Sequence, residues 1–296
     1  MAEAAISEPR AEGGRTTVGE LPGADEVFAR AAGENFSVAS LVLGRRVREH
    51  LLAIYGYARL VDQIGDASPG DRPAQLDALE QALDRIFAGS GAPDHAVLRR
   101  LEPAIDALGL PRGPFQRLLE ANRRDQQTTD YQTFEELVAY CDLSANPVGE
   151  LVLHVFGAAT PERIALSDKV CTALQLAEHW QDVVEDHAAG RIYLPAEDLA
   201  RFGVAPAELA AATASPAFRQ LLAFEVARAR ELLDEGAALV GRLHGRARIA
   251  VAGYVGGGRA AFGAIEAAGY DVLPGAPKAS SGARLRATLR TYVRRS

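Results

Sequence analysis

Cysteine is almost absent from this chain: Cys141 and Cys171, far apart in sequence, are the only two. Neither sits in a paired-cysteine spacing that binds zinc or exchanges disulfides, and both fall in segments that read as helix. They are expected to be reduced core thiols. No stretch holds about 18 consecutive apolar residues, so no membrane-spanning helix is expected. The first residues lack the basic start and apolar run of a secretory signal, and the expected compartment is the cytoplasm. Positive charge is also in deficit. Thirty-two lysines and arginines stand against 39 aspartates and glutamates, a net charge of −7. No basic stripe with interleaved aromatics occurs, so nucleic acid is not an expected partner. No strand-like alternation of useful length, no solenoid repeat and no G-x-G-x-x-G turn after a strand is present either.

What is present is the composition of a soluble globular protein with a sizeable core: 296 residues, 48% hydrophobic and 24% charged. Residues 1–24 are polar, carry glycine and lack periodicity, which reads as a disordered leader. A short helix is expected over 25–32, with Asn35 or Ser37 capping the segment that leads into the next helix. Helical spacing then recurs. Leu76, Leu79, Leu83, Ile86 and Phe87 mark one helix, and Val97, Leu101, Ile105 and Leu108 another. A third, with Phe115, Leu118, Leu119 and Asn122, dissolves in the polar run DQQTTD. Segments 133–156 and 160–186 are longer and apolar all round, as expected of central helices. A long helix is predicted over 216–243. Another spans 246–268, where Gly256, Gly257 and Gly258 should weaken or bend it by roughly 1 kcal/mol per glycine relative to alanine. A glycine-proline connector, 269–277, precedes a last basic helix with Leu285, Leu289, Tyr292 and Val293 on one side. The expected architecture is all-α, a single domain over 25–280 followed by a basic tail over 281–296.

Two stretches carry chemistry. QLAEHWQDVVEDHAAGRIYLP, from Gln175 to Pro195, places Asp182 and Asp186 four residues apart, hence on one helical face. AIYGYARLVDQIGD, from Ala53 to Asp66, repeats the device with Asp62 and Asp66. One such pair alone is ordinarily a solvated face. Two pairs, each at the edge of an apolar stripe and each repelling itself, call for cations. A di-iron or di-manganese bundle would need a Glu-x-x-His step, and Glu178 and His179 are adjacent instead. Magnesium, held by one or two carboxylates per ion with phosphate oxygens and water, suits four aspartates better and implies a diphosphate substrate. Arg59, three residues before Asp62, shares its face, while Arg191 and Tyr193 follow Asp186 in a short exit. Tyr55, Tyr57 and Tyr140 are either core residues or rings facing a carbocation.

At these residues the chain resembles the squalene and phytoene synthase family of head-to-head prenyl synthases. The match runs from about Glu34 to Pro277. It rests on DQIGD with Tyr55 and Arg59 upstream, the Tyr140–Cys141 step, Gln175 before QDVVED, and RIYLP. ENF at 34–36, SANPVG at 144–149 and HWQDV at 179–183 resemble most the hopanoid branch, which turns presqualene diphosphate into hydroxysqualene. The resemblance implies an isoprenoid-synthase fold in which Asp62, Asp66, Asp182 and Asp186 face one another across a cavity and bind magnesium, with Glu178 as a fifth metal residue. It implies Arg59, Arg191 and Lys278 as diphosphate-binding groups, and Tyr55, Gln175, Tyr140, Tyr193 and Tyr254 around the reaction chamber, with Tyr140 and Tyr193 as candidates to place water. Glu178 stands where many members carry asparagine, and Gln181 where many carry arginine. The missing charge favours a site for one diphosphate.

The implied reaction is ionisation of presqualene diphosphate followed by water capture. The alternatives within the family are presqualene diphosphate or squalene synthesis from farnesyl diphosphate, and phytoene synthesis. Outside enzymes, the alternative is a helical assembly factor that has kept the fold, which lost aspartates would favour; all four are present. The tail from Arg284 to Ser296 reads either as a solvated helix or as a peripheral contact with anionic membrane. Hand-off of product to other enzymes of the hopanoid pathway is a further expectation.

Overall fold

A computed structural model describes residues 21–22 and 43–293. The expected helix over 25–32, the cap at Asn35 or Ser37 and the ENF segment lie outside the described residues. Leu21 and Pro22, inside the expected leader, are packed. Leu21 is buried, and the Pro22 carbonyl lies 3.0 Å from His95 Nε2.

The described chain is helical from end to end. Helices α1 (Arg45–Ala67), α2 (Arg72–Phe87), α3 (Ala96–Leu108) and α4 (Arg112–Asp125) build the first part. Then come α5 (Phe134–Ser144), α6 (Asn146–Val155), α7 (Pro161–Gln181), α8 (Val183–Ala188) and α9 (Ala196–Phe202). A 3₁₀ turn at Pro206–Ala210 leads to α10 (Pro216–Gly236), α11 (Ala238–Arg242), α12 (Gly245–Ala267) and α13 (Ser281–Val293). Among the described residues there is no strand, only one isolated parallel bridge between Asp130 and Ile192. No helix among them is long and apolar enough to cross a membrane.

Local chemistry sets most of the boundaries. Asp71, Thr133, Thr160 and Ser215 each accept a hydrogen bond from the backbone N–H three residues on, satisfying donors that a helix start leaves without partners. Pro161 and Pro216 occupy the first helical position, where a missing N–H removes nothing. Gly109, at φ 58°, closes α3 in the left-handed conformation.

Three expected long helices are divided. Segment 133–156 breaks at Ala145, because Pro147 has no N–H to give and its ring crowds the preceding turn. Segment 160–186 breaks at Asp182, with φ −103° and ψ 19°. Segment 216–243 breaks at Ala237. Helix α12 runs unbroken through its three glycines. Gly256 lies against the Thr288 backbone of α13, and a side chain at Gly258 would crowd Leu174 and Leu233. Gly256 and Gly258 are close-contact points between helices, while Gly257 faces open space. Leu285 and Leu289 of the last helix are exposed.

The interior is two apolar clusters rather than one. The first unites α1–α4 and is completed by Leu151, Val152 and Val155 of α6 and Ala250 of α12. The second is built on α5 and α7–α12, around Leu137, Leu176, Trp180, Phe218 and Phe262. Phe156 and Tyr254 pack against both, so the clusters belong to one domain. The first aspartate pair sits on a helix of the first cluster and the second pair on helices of the second.

Candidate active site

Helix α1 carries Tyr55, Arg59, Asp62 and Asp66 at steps of four, three and four, one face of the helix. Tyr57, between them, is core: its ring is fully buried, packs edge-on against Phe115 at 5.2 Å, and its hydroxyl donates to the Phe115 carbonyl. Tyr55 and Arg59 are half-buried. Burial raises the Asp62 carboxyl to about 6, against a hydrogen bond from Asn122 Nδ2 at 3.3 Å and the Arg59 guanidinium 3.9 Å away. Asp66, more exposed, accepts from Arg191 Nη2 at 2.8 Å. That bond ties the first aspartate pair to the exit that follows the second.

Glycine at position 65, inside the first motif, has a packing reason. A side chain there would overlap Asn122, while Gln126 Nε2 and Arg72 Nη1 reach the Gly65 carbonyl at 2.9 and 3.1 Å. Helix α4 therefore lies directly on the acidic helix, and its Asn122 is aimed at Asp62.

The second pair keeps its four-residue step across the break, because the Asp186 N–H still donates to the Asp182 carbonyl at 2.8 Å. Burial, then Glu185 and Asp186, raises the Asp182 carboxyl, and Lys278 opposes this. Lys278 is itself exposed, on the connector before α13. Gln181 Nε2 donates to the Pro277 carbonyl, so Gln181 holds that connector beside the second motif. Glu178 is exposed on α7. Gln175 lies 3.2 Å from His179 Nε2, and His179 Nδ1 is 3.8 Å from Asp186 Oδ2, beyond hydrogen-bonding range. Burial lowers the His179 pKa, which keeps the imidazole neutral.

An aromatic cluster lies beside the second pair. The Tyr193 ring stacks on His179 at 3.6 Å and lies 6.0 Å from Tyr140 and 5.8 Å from Tyr131. Burial raises all three tyrosine hydroxyls. Tyr140 donates to Asp125 Oδ2 at 2.8 Å, and burial lifts Asp125 to about 6. The RIYLP exit is pinned here, Ile192 N–H donating to the Thr129 carbonyl at 2.7 Å. Tyr254 lies beside Cys171, with its hydroxyl raised to about 12, and packs against both apolar clusters. Both cysteines are free thiols.

Four polar groups of this site were not expected: Asn122, Asp125, Tyr131 and His179. Asp125 opens the polar run DQQTTD, which reads as loop, yet α4 extends to it. The adjacent Tyr140–Cys141 motif was the available signal, since a buried tyrosine hydroxyl needs a partner.

Among the described residues, no three histidines, cysteines or carboxylates converge as a ready metal cage. The donor set is nevertheless that of a hard cation shared with phosphate oxygens, one or two carboxylates at a time. Asp186 Oδ2 is buried with no hydrogen-bond partner among the described residues, a position that a bound cation would satisfy.

Residues 29–291 match the family model for squalene/phytoene synthase. The chain is 36% identical over 214 residues, 71% of each protein, to hydroxysqualene synthase of Sinorhizobium fredii. It is 33% identical over 181 residues to phytoene synthase of Mycobacterium tuberculosis, covering 60% of this chain and 59% of that one. Among solved structures it superposes on squalene synthase HpnC from Alicyclobacillus acidocaldarius with TM-score 0.78 and 43% identity, over 85% of this chain and 98% of that one. A dehydrosqualene synthase solved with ligand gives TM-score 0.81 at 25% identity, over 90% and 96% of the two chains. This all-α chain, with its two aspartate motifs, is an isoprenoid synthase and belongs to the squalene/phytoene synthase family.

Proposed function

We propose that this enzyme converts presqualene diphosphate and water to hydroxysqualene and diphosphate, with magnesium. The observation that carries the reading is Gln181. It brings no charge to the second motif, and its amide is committed to the Pro277 carbonyl. Arg59, Arg191 and Lys278 are then the cations around the acidic pairs, a set that suits one diphosphate. The hydroxysqualene synthases among the relatives support the same branch.

Asp62, Asp66, Asp182 and Asp186 are the residues that would hold magnesium, with the exposed Glu178 as a fifth candidate. Magnesium supplies Lewis-acid stabilisation of the charge that develops on the leaving diphosphate. Arg191 and Lys278 add fixed positive charge at the same place, where it acts on the transition state. The carbon–oxygen bond breaks with its electron pair leaving on diphosphate, and the cyclopropylcarbinyl cation rearranges. The faces of Tyr140, Tyr193 and His179 shelter it from other nucleophiles. A water oxygen then forms the new bond. Tyr140, hydrogen-bonded to Asp125, is the group placed to receive the water proton, with Asp125 accepting the tyrosine's own.

The test is incubation of the purified enzyme with presqualene diphosphate, with and without magnesium and a reduced nicotinamide, followed by product identification. Hydroxysqualene should form with magnesium and without nicotinamide. Efficient conversion of farnesyl diphosphate to presqualene diphosphate would move the enzyme to the condensing branch, and a C40 product from geranylgeranyl diphosphate to phytoene synthesis.

A further inference from the structure

Five large apolar side chains are exposed among the described residues, and four of them, Leu285, Leu289, Tyr292 and Val293, sit on α13. Their spacing puts them on one stripe of roughly 100°. A terminal helix ordinarily turns such a stripe inward. Here the inward positions are small: Thr291 is buried and bonded to Arg259 Nη1 at 2.8 Å, and Thr288 lies over Gly256 so closely that any side chain at Gly256 would strike its backbone. The glycine contact selects the small-residue face of α13 for packing and leaves the leucines outside. Arg248 fixes this orientation, donating to the Tyr292 carbonyl at 2.9 Å with its guanidinium 4.8 Å from that ring.

The charge of the same segment is one-sided. Residues 281–296 hold five arginines and no carboxylate side chain, in a chain of net charge −7. By helical geometry Arg286 and Arg290 run along one edge of the stripe, whereas Arg284 starts the face that carries Thr288 and Thr291. A groove of ≈ 780 Å³ beside Leu289 and Val293 contains Asp234 and Glu266. Both acids are engaged, by Arg259 at 2.6 Å and Arg230 at 3.1 Å, so they do not offset Arg290.

We infer that α13 is an in-plane anchor that docks this enzyme on an anionic phospholipid bilayer, with the leucines in the acyl boundary and the arginines at the headgroups. The apolar stripe and the basic edge of Arg286 and Arg290 together match that surface. A second copy laid stripe to stripe would instead bring two arginine-rich helices against each other. The docked helix also lies close to the chemistry: it begins three residues after Lys278, on the connector that Gln181 holds beside the second motif. A prenyl substrate leaving the bilayer would therefore meet the site at this end, a consequence that rests on the proposed function; the docking itself does not.

The experiment is flotation of the full chain with vesicles of phosphatidylcholine alone or mixed with phosphatidylglycerol. The bound fraction should be at least about tenfold higher on anionic vesicles and should fall as salt rises. The double substitution Leu285→Glu with Leu289→Glu, and separately Arg286→Gln with Arg290→Gln, should each lower binding about tenfold with the melting temperature unchanged. Binding that is absent, equal on both vesicle types, or equal in wild type and the leucine variant overturns the proposal. So does a lipid-free dimer that dissociates in the leucine variant, because it assigns the stripe to a second copy. Neither readout depends on which product the enzyme makes.

Discussion

Asp125 shows how a single side chain joins stability to chemistry. It is half-buried, accepts the Tyr140 hydroxyl, and titrates at about 6, mainly through burial. Because the folded pKa lies above the ordinary 3.8, the folded chain holds a proton that the unfolded chain has released between about pH 4 and 6. Stability therefore falls as pH rises through that window and stays lower above it. Asp125→Asn is expected to be more stable than wild type at pH 7, by on the order of 1–2 kcal/mol, and to lose that advantage near pH 4. Thermal unfolding across pH measures this. Turnover should fall at the same time, since asparagine cannot accept the tyrosine proton. Unchanged turnover would remove Asp125 and Tyr140 from the proton route.

At the scale of elements, the decisive contacts are those that press one helix on another. Gly65 lets Asn122 of α4 reach Asp62 of α1. Gly65→Ala forces that contact apart and is expected to destabilise the fold by about 1–3 kcal/mol and to lower turnover. Denaturant unfolding and steady-state assay read the two effects, and a variant that keeps full activity would show that Asn122 is dispensable. The same contact marks the boundary of what was legible in sequence. The aspartate pairs, Arg191 and the tyrosines could be read because four-residue spacing is local. The starts near Thr133, Thr160 and Pro216 are local too, whereas the break before Pro147 is masked by an apolar run that continues through it. Asn122 and Asp125 acquire their meaning only from tertiary packing onto α1 and α5. Gly256 and Gly258 read as weak points for the same reason, because the neighbours they accommodate, Thr288, Leu174 and Leu233, are distant in sequence. The orientation of α13 was illegible as well, since periodicity identifies an apolar stripe and not what covers it.

At the scale of the molecule, the two aspartate motifs belong to different apolar clusters, so the parts that hold those clusters also hold the site. Arg228 of α10 is one such part. It pairs with Asp198 of α9 at 2.7 Å and with Glu225 at 2.7 Å, both buried, and lies 3.6 Å over the Phe134 ring of α5. Arg228→Met leaves two buried carboxylates without their cation and is expected to cost about 3–5 kcal/mol in urea unfolding. The motifs themselves supply a ligand-dependent connection. The Arg191–Asp66 bond links the two halves, and each half carries a carboxyl raised by burial and by like charges of its own. Magnesium and inorganic diphosphate added together would offset the like charges within each half in the folded state alone. At about 100 times the dissociation constant, such binding stabilises by roughly 2.7 kcal/mol, a rise of about 5–10 °C in melting temperature for a domain of this size. Either component alone should give a smaller shift, because the arginines and Lys278 favour the diphosphate while the aspartates need the cation. Asp62→Asn and Asp186→Asn, one in each half, should both lose the combined shift. If only one loses it, the ligand is held by a single half, and the two motifs do not act as one site.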